Sequence, residues 1–524
     1  MHNTKRLSRL IKQSILGVTA LVILASPLTA NACTTVIIGR DVTENNAWLV
    51  SRTADSHIIT DYVTFENRPH IENQTGTIKS LDNNFTRNLP AISLAYSRIP
   101  VDIKGNSGET GINEFGVGIS STETIFPSDK VLAIDPYVSD TGIDEATLLD
   151  VLLPQIHSAR EGAMLLGKIV EQHGMAEGFG VAFADRNEVW YLETASGHHW
   201  MAAKMPADKC FATANQGRLR DYDPQDTENY MASPGLIDFA VKNGLFDPKQ
   251  GPFDFHKAFM RDMPIDSRYN YPRVEVLNYC ITGLNGPNVY TDGDRLPVFA
   301  TPNHKISLSD LKNMLRQHYE GTPSDPYMAC DSSATWRPIS IFRTSITHIL
   351  EIRPDLPKEI GCINYISVGF NLLSPFLPIY QGVETIIPEF STPSNPNSHG
   401  YDDSAYWRLR RLQTLVMQDY PRYSPIVRQA YADFESDIAI RQQATEAQYM
   451  KLYQQDPQAA VTLLTKFEND ILRDCLILTD KLTAQIVTLM AERVEKDYHY
   501  TAGDIKLDDL TNEKASQKTT SLDE

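Results

Sequence analysis

Cys33 stands directly behind a secretory leader and at the head of a strand-like run, and that coincidence limits the possible fold more than any other feature of the chain. The leader holds basic Lys5, Arg6, Arg9 and Lys12, an apolar run from Ile15 to Leu24, a helix-breaking Pro27, and the small pair Ala30 and Ala32 that signal peptidase reads. Cleavage after Ala32 makes Cys33 the first residue of the mature protein. The apolar run is about half the roughly 20 residues a bilayer span needs, so no stable membrane insertion is expected. The expected location is periplasmic or secreted.

The residues after the cut read as a hairpin. "CTTVIIG" is β-branched from Thr34 to Ile38 and predicts a buried strand, "TENNA" predicts a turn, and "WLVSRTADSH" predicts a second strand. An antiparallel return brings Arg52 and Asp55 back beside Cys33. Three roles for Cys33 compete: a structural cysteine, the lipidated residue of a tethered lipoprotein, and an N-terminal nucleophile. The lipoprotein signal normally has Leu three residues before the cysteine, where this chain has Ala30. In the third role the terminal α-amine, with a pKa of roughly 7.7 to 8, serves as general base to the thiol of the same residue. An arginine beside the thiol then favours thiolate, and a carboxylate beside the amine holds it in position. On this reading Asp55→Asn lowers turnover far more than stability, whereas a plain Arg52–Asp55 surface pair predicts little change in either. If the amine is not the base, His57 is the nearest histidine in sequence.

Composition narrows the class. The chain has 524 residues, 42% of them hydrophobic, which is the composition of a core-forming globular protein. Its net charge is −18, and the leader contributes bases but no acid, so the mature chain is more acidic still. A nucleic acid partner is therefore excluded, because counterion release needs a basic surface. Six cysteines (Cys33, Cys210, Cys280, Cys330, Cys362, Cys475) show no zinc spacing. The adjacent His198 and His199 do not form a metal pair, and Asp292 and Asp294 read as a turn rather than a calcium loop. No metal and no cofactor is expected.

Eight stretches together carry a resemblance. "CTTVIIGRD...SRTAD" is followed in order by "GINEFGVGISSTETI" from Gly111, "SAREGAMLLGKIVEQHG" from Ser158 and "VWYLETASGHHWMAAKMPADK" from Val189. Then come "ATANQGRL" from Ala212, "HYEGTPSDPY" from His318, "WRPISIFRTSITHILEIRPDLP" from Trp336 and "DDSAYWRLRRL" from Asp402. Over Cys33 to about Leu412 the chain resembles the bacterial dipeptidase A (PepD-type) family, cysteine-type N-terminal nucleophile hydrolases related to penicillin V acylase and bile-salt hydrolase. The resemblance implies an α+β fold, a four-layer αββα sandwich, and dipeptides as substrates. It implies Cys33 as nucleophile, Arg52 and Asp55 as its arginine-x-x-aspartate element, Asn215 as an oxyanion-hole donor and Arg273 as a second active-site arginine. The chain departs from the family at Thr53, where Asn is frequent, and at Glu275, where Trp is frequent. A second oxyanion-hole asparagine of the acylases is replaced around Thr122 and Glu123. Glu123 is then a candidate anchor for a substrate ammonium, against the plain reading of a solvent-facing strand end. An N-acyl amide hydrolase stays open as the alternative enzyme.

The expected organisation is a leader over 1–32, a hydrolase domain over 33–403, a helical region over 404–499 and a polar tail over 500–524. Within the hydrolase domain "LAIDPYV" and "GFGVAFAD" predict strands, and residues 146–173 predict helix. The sequence leaves a homo-oligomer open.

Overall fold

The computed structural model describes residues 32–56, 63–100, 108–284, 296–328, 336–393, 400, 402–497, 501–502 and 505–506. The leader, His57, Asp292, Asp294 and Cys330 lie outside the described residues, as do residues 507–524.

The predicted hairpin opens the fold. β1 (Ala32–Ile38) pairs antiparallel with β2 (Trp48–Asp55), matching Ala32 to Asp55, Cys33 to Ala54 and Thr35 to Arg52. Because side chains alternate along a strand, Cys33, Thr35 and Ile37 share one face of β1, and directly paired residues share a face across the hairpin. Three further strands matter to the site: β3 (Gly118–Thr124), β4 (Cys210–Thr213) and β5 (Thr344–Ile352).

These strands belong to two antiparallel sheets. One has seven strands in the order Phe299–Ala300, β4, β1, β2, β5, Cys362–Val368 and Leu377–Tyr380. The other has eight, in the order Tyr230–Ala232, Trp200–Lys204, Val189–Thr194, Phe179–Ala184, β3, Gly108–Asn113, Tyr96–Pro100 and Glu66–Arg68. The sheets pack through Ile37, Trp48, Val50, Ala182, Tyr191 and Leu350. Each sheet then buries its other face under helices. α1 (Ala159–His173) covers Phe183, Trp190 and Leu192 of the eight-stranded sheet. On the seven-stranded sheet lie α2 (Tyr271–Thr282), α3 (Leu308–Leu315), α4 (Ala405–Val416), α5 (Tyr420–Tyr453) and α6 (Pro457–Asp497). The result is the expected four-layer αββα sandwich. Strands covered on both sides lose polar alternation, which is why β1, β2 and β5 read as near-continuous buried runs.

The C-terminal helices share a continuous core with the sheet, running from Val36 and Ile38 through Leu412 and Val427 to Ile486. Two local expectations are corrected. "LAIDPYV" is not a strand: a short helix, Asp129–Leu132, ends there, capped by the Ser128 hydroxyl, and Pro136 follows in a turn. The helix expected over 146–173 is two helices, because Pro154 interrupts it. The second segment restarts at Ser158, whose hydroxyl accepts from Glu161 N at 3.1 Å, and stops at Gly174, which takes the left-handed φ of 73°.

Candidate active site

Four of the five predicted site residues meet around the start of β1, between the interior strands of the two sheets. Cys33 is 3% exposed and its Sγ accepts from Arg52 Nη1 at 2.9 Å. Arg52, opposite Thr35 on β2, crosses the gap between the sheets. Its guanidinium also donates to the carbonyls of Ser121 and Thr122 on β3 and pairs with Glu109. β1 is thus tied to the facing sheet through a buried cation.

On the other side of Cys33 stands Arg273, fully buried in the first turn of α2. Its Nη1 donates to the Cys33 carbonyl and to Thr34 Oγ1 (2.8 Å), and its Nη2 to Asn215 Oδ1 (2.9 Å) and Asn270 Oδ1 (2.7 Å). This arrangement settles which way the Asn215 amide points. Arginine only donates, so Asn215 must present its oxygen to Arg273 and keep its Nδ2–H groups for another acceptor. One such acceptor is the Thr124 carbonyl, at a long 3.3 Å. Arg273 thus fixes the orientation of the side-chain amide, with its Nδ2–H groups facing away from the guanidinium.

Asp55 sits differently. It pairs across the hairpin with Ala32 rather than Cys33, and its carboxylate is buried against Arg337 and Thr344 Oγ1, which donates at 2.5 Å. Arg410 on α4 donates to the Phe342 and Thr344 carbonyls at 2.6 and 2.8 Å, so a C-terminal helix braces the segment that holds Asp55. Asp55→Asn is consequently expected to lose about 3 kcal/mol of stability along with turnover, because Arg337 keeps its charge in a buried place without its partner. Chemical denaturation beside steady-state rates checks this, and unchanged unfolding with lost turnover would return Asp55 to a positioning role alone.

Electrostatics at Cys33 oppose one another. Burial pushes the Cys33 thiol up to about 12, and the charges of Glu123, Asp55 and Glu145 add to the rise, whereas Arg52, shared with Glu109, pulls it down as expected of an arginine beside a thiol.

Glu123 is no solvent-facing strand end. It is 1% exposed, its Oε2 accepts from Thr35 Oγ1 at 2.8 Å, and its Oε1 has no hydrogen-bond partner among the described residues. Burial pushes its carboxyl up to about 8 against the pull of Arg273, Thr35, Arg52 and Arg337. Thr35 shares the Cys33 face of β1, so this carboxyl lies on the Cys33 side of the sheet. Thr53, by contrast, has a buried hydroxyl without a partner among the described residues.

Sequence reasoning missed Glu109, Arg337, Thr344 and Asn270. Arg337 and Thr344 lie inside the "WRPISIFRTSITHILEIRPDLP" stretch, and an arginine placed close before a β-branched strand was the available signal. His198 and His199 sit in a turn, bound to Asp135 and Ser233 respectively. Among the described residues no group of three His, Cys, Asp or Glu side chains could hold a metal ion, and no helix is long and apolar enough to cross a membrane. Five cysteines (Cys33, Cys210, Cys280, Cys362, Cys475) are free thiols.

Known proteins resemble the chain in sequence. The chain is 47% identical over 365 residues to a "Probable dipeptidase" of Salmonella dublin, covering 68% of this chain and 82% of that one. A "Probable dipeptidase" of Latilactobacillus sakei is 32% identical over 471 residues, 87% of this chain and 95% of that one. A "Dipeptidase" of Bifidobacterium longum is 33% identical over 419 residues, 73% of this chain and 77% of that one. A solved structure of penicillin V acylase from Agrobacterium tumefaciens aligns over 66% of this chain and 86% of that one, at 13% identity and a TM-score of 0.29. That superposition is too poor to carry residue correspondences. The description Peptidase family C69 matches residues 32–433, and the chain belongs to that family of cysteine-type peptidases.

Proposed function

We propose that this chain is an exported dipeptidase that cleaves its substrate through a Cys33 thioester. The observation that carries the reading is the convergence of Cys33, Arg52, Asn215 and Arg273 in a chain whose relatives bear the name dipeptidase. In the mechanism, the Cys33 α-amine freed by cleavage after Ala32 takes the thiol proton as sulfur attacks the scissile carbonyl. Asn215 Nδ2 donates to the developing oxyanion. The amine then delivers the proton to the leaving amine, and water hydrolyses the thioester with the same group as base. Arg273 orients Asn215, and Arg52 steadies the sulfur.

Glu123 separates the dipeptidase from the acylase reading. An unblocked dipeptide carries an ammonium beside the scissile bond, and a buried carboxyl with one free oxygen is a fitting partner. An apolar acyl group would instead leave that carboxyl without a partner. Unblocked dipeptides are expected to be hydrolysed, and N-acetylated dipeptides and N-acyl amino acids to be poor substrates. Because burial holds Glu123 near 8, its anion fraction grows as pH rises towards that value, so KM for unblocked dipeptides falls over pH 6 to 8. Glu123→Gln is expected to raise that KM roughly 10- to 100-fold and to remove the pH trend. Equal rates on blocked and unblocked substrates would favour the acylase. Intact-mass analysis of the exported protein tests the remaining alternative, since diacylglycerol on Cys33 would occupy the sulfur and end the nucleophile reading. Periplasmic or secreted location is part of the proposal and is read from the fraction that holds the mature protein.

A further inference from the structure

Beside Asn215 lies a cavity of about 160 Å³ lined by Phe126, Ile265 and Tyr269, by the polar Asn270 and Asp266, and by one cation, Arg261. Arg261 is fixed at both ends. Its backbone N–H donates to the Phe126 carbonyl at 2.9 Å, and its guanidinium carbon lies 4.1 Å from the centroid of the Phe126 ring. Stacking holds the guanidinium plane but uses none of its five N–H donors. Among the described residues its side chain makes no hydrogen bond or ion pair. The neighbouring acids take their hydrogen bonds elsewhere: Asp266 accepts from Met263 N at 2.8 Å and Asn270 Nδ2 at 2.6 Å, and Asp262 accepts from the Tyr271 hydroxyl, so Asp266 meets Arg261 through charge alone.

Asn215 thus belongs to two places at once, the proposed oxyanion site and the wall of this cavity. A substrate group beside the scissile carbonyl is within reach of this cavity if Asn215 serves the oxyanion as proposed. On the acyl side of a dipeptide that neighbour carries an ammonium, which Arg261 repels. On the leaving side it carries an α-carboxylate one residue, about 3.5 Å, further along the chain. We infer that this cavity receives the leaving residue of the substrate and that Arg261 captures its free α-carboxylate. The inference rests on the dipeptidase reading and deepens it. Glu123 and Arg261 then grip the two ends of one dipeptide, and a longer peptide brings an uncharged amide to Arg261, which is a physical reason for cleavage to stop at dipeptides.

The test compares L-alanyl-L-alanine with its C-terminal amide, both with free amines. The wild-type enzyme is expected to show a lower KM for the free acid. Arg261→Met keeps an apolar chain over Phe126 and is expected to raise KM for the acid about 10- to 100-fold, with kcat within about threefold and the amide unaffected. Arg261→Lys should recover part of the loss, as a point charge without the planar fork. A wild-type enzyme that uses acid and amide equally well overturns the inference while leaving the dipeptidase reading intact, and so does an Arg261→Met variant that weakens both substrates alike. A wild-type enzyme that cleaves neither sinks the dipeptidase reading and this subsite with it. The wild-type comparison needs no variant, so a poorly folding substitution leaves the inference open to refutation.

Discussion

A chain that retains Ala32 ahead of Cys33 is expected to fold, to keep a titratable Cys33 thiol, and to hydrolyse dipeptides about 10³-fold more slowly than the mature form, the range that a positioned general base contributes. The fold has room for the extra residue. Ala32 already continues β1 and pairs with Asp55, so retention leaves the hairpin register unchanged. What changes is the nitrogen. In the uncleaved chain it is an amide that cannot accept a proton, and the thiol it would serve is pushed up to about 12 by burial. Among the described residues no histidine hydrogen-bonds to Cys33, so the amine has no evident substitute there. His348 is buried with its Nε2 on Ser120 Oγ at 2.8 Å, and burial lowers its pKa. Cleavage would then be activation as well as export. The measurement is kcat/KM of an uncleavable extended form beside the mature form, with the N-terminus of each verified by mass spectrometry. Full activity in the verified extended form rules out the amine as base and returns attention to His57.

Asn215→Ala is expected to lower kcat by 10²- to 10³-fold, the usual cost of one oxyanion-hole donor, while KM changes little. The variant should still fold. Arg273 loses one acceptor at Nη2 but keeps Asn270 Oδ1, the Cys33 carbonyl, Thr34 Oγ1 and the Tyr269 carbonyl, so no buried charge is stranded. The stability loss should be about 1 kcal/mol, that of one hydrogen bond. Because the donor is wanted only when the oxyanion forms, the effect belongs in the chemical step. Burst kinetics with a chromogenic dipeptide analogue read that step directly, and a variant that loses KM but keeps kcat would mean that Asn215 binds substrate without stabilising the oxyanion.

The two arginines show how differently the site residues could be read. Arg52 was legible because nineteen residues and one turn separate it from Cys33, and an antiparallel hairpin must return it to the same face. Arg273 was legible only through resemblance. It lies 240 residues from Cys33 and its neighbourhood depends on where α2 lands. Arg261 left no motif at all, since a cation stacked on Phe126 beside a cavity is created by two segments meeting.

The sequence by itself determined the local pattern: the β-branched run after Cys33, the turn at "TENNA" and the run from Trp48 make β1 and β2 a hairpin, and a helical stretch ends at His173. Those are short-range matters of backbone preference and side-chain spacing. Tertiary structure decided charge states and partners. It paired Asp55 with Arg337 and Thr344, buried the Glu123 carboxyl and pushed it up to about 8, and raised the Cys33 thiol despite Arg52. The physical reason is that desolvation and pairing depend on everything packed around a group. Here the packing comes from two sheets and a C-terminal helix whose residues lie far apart along the chain.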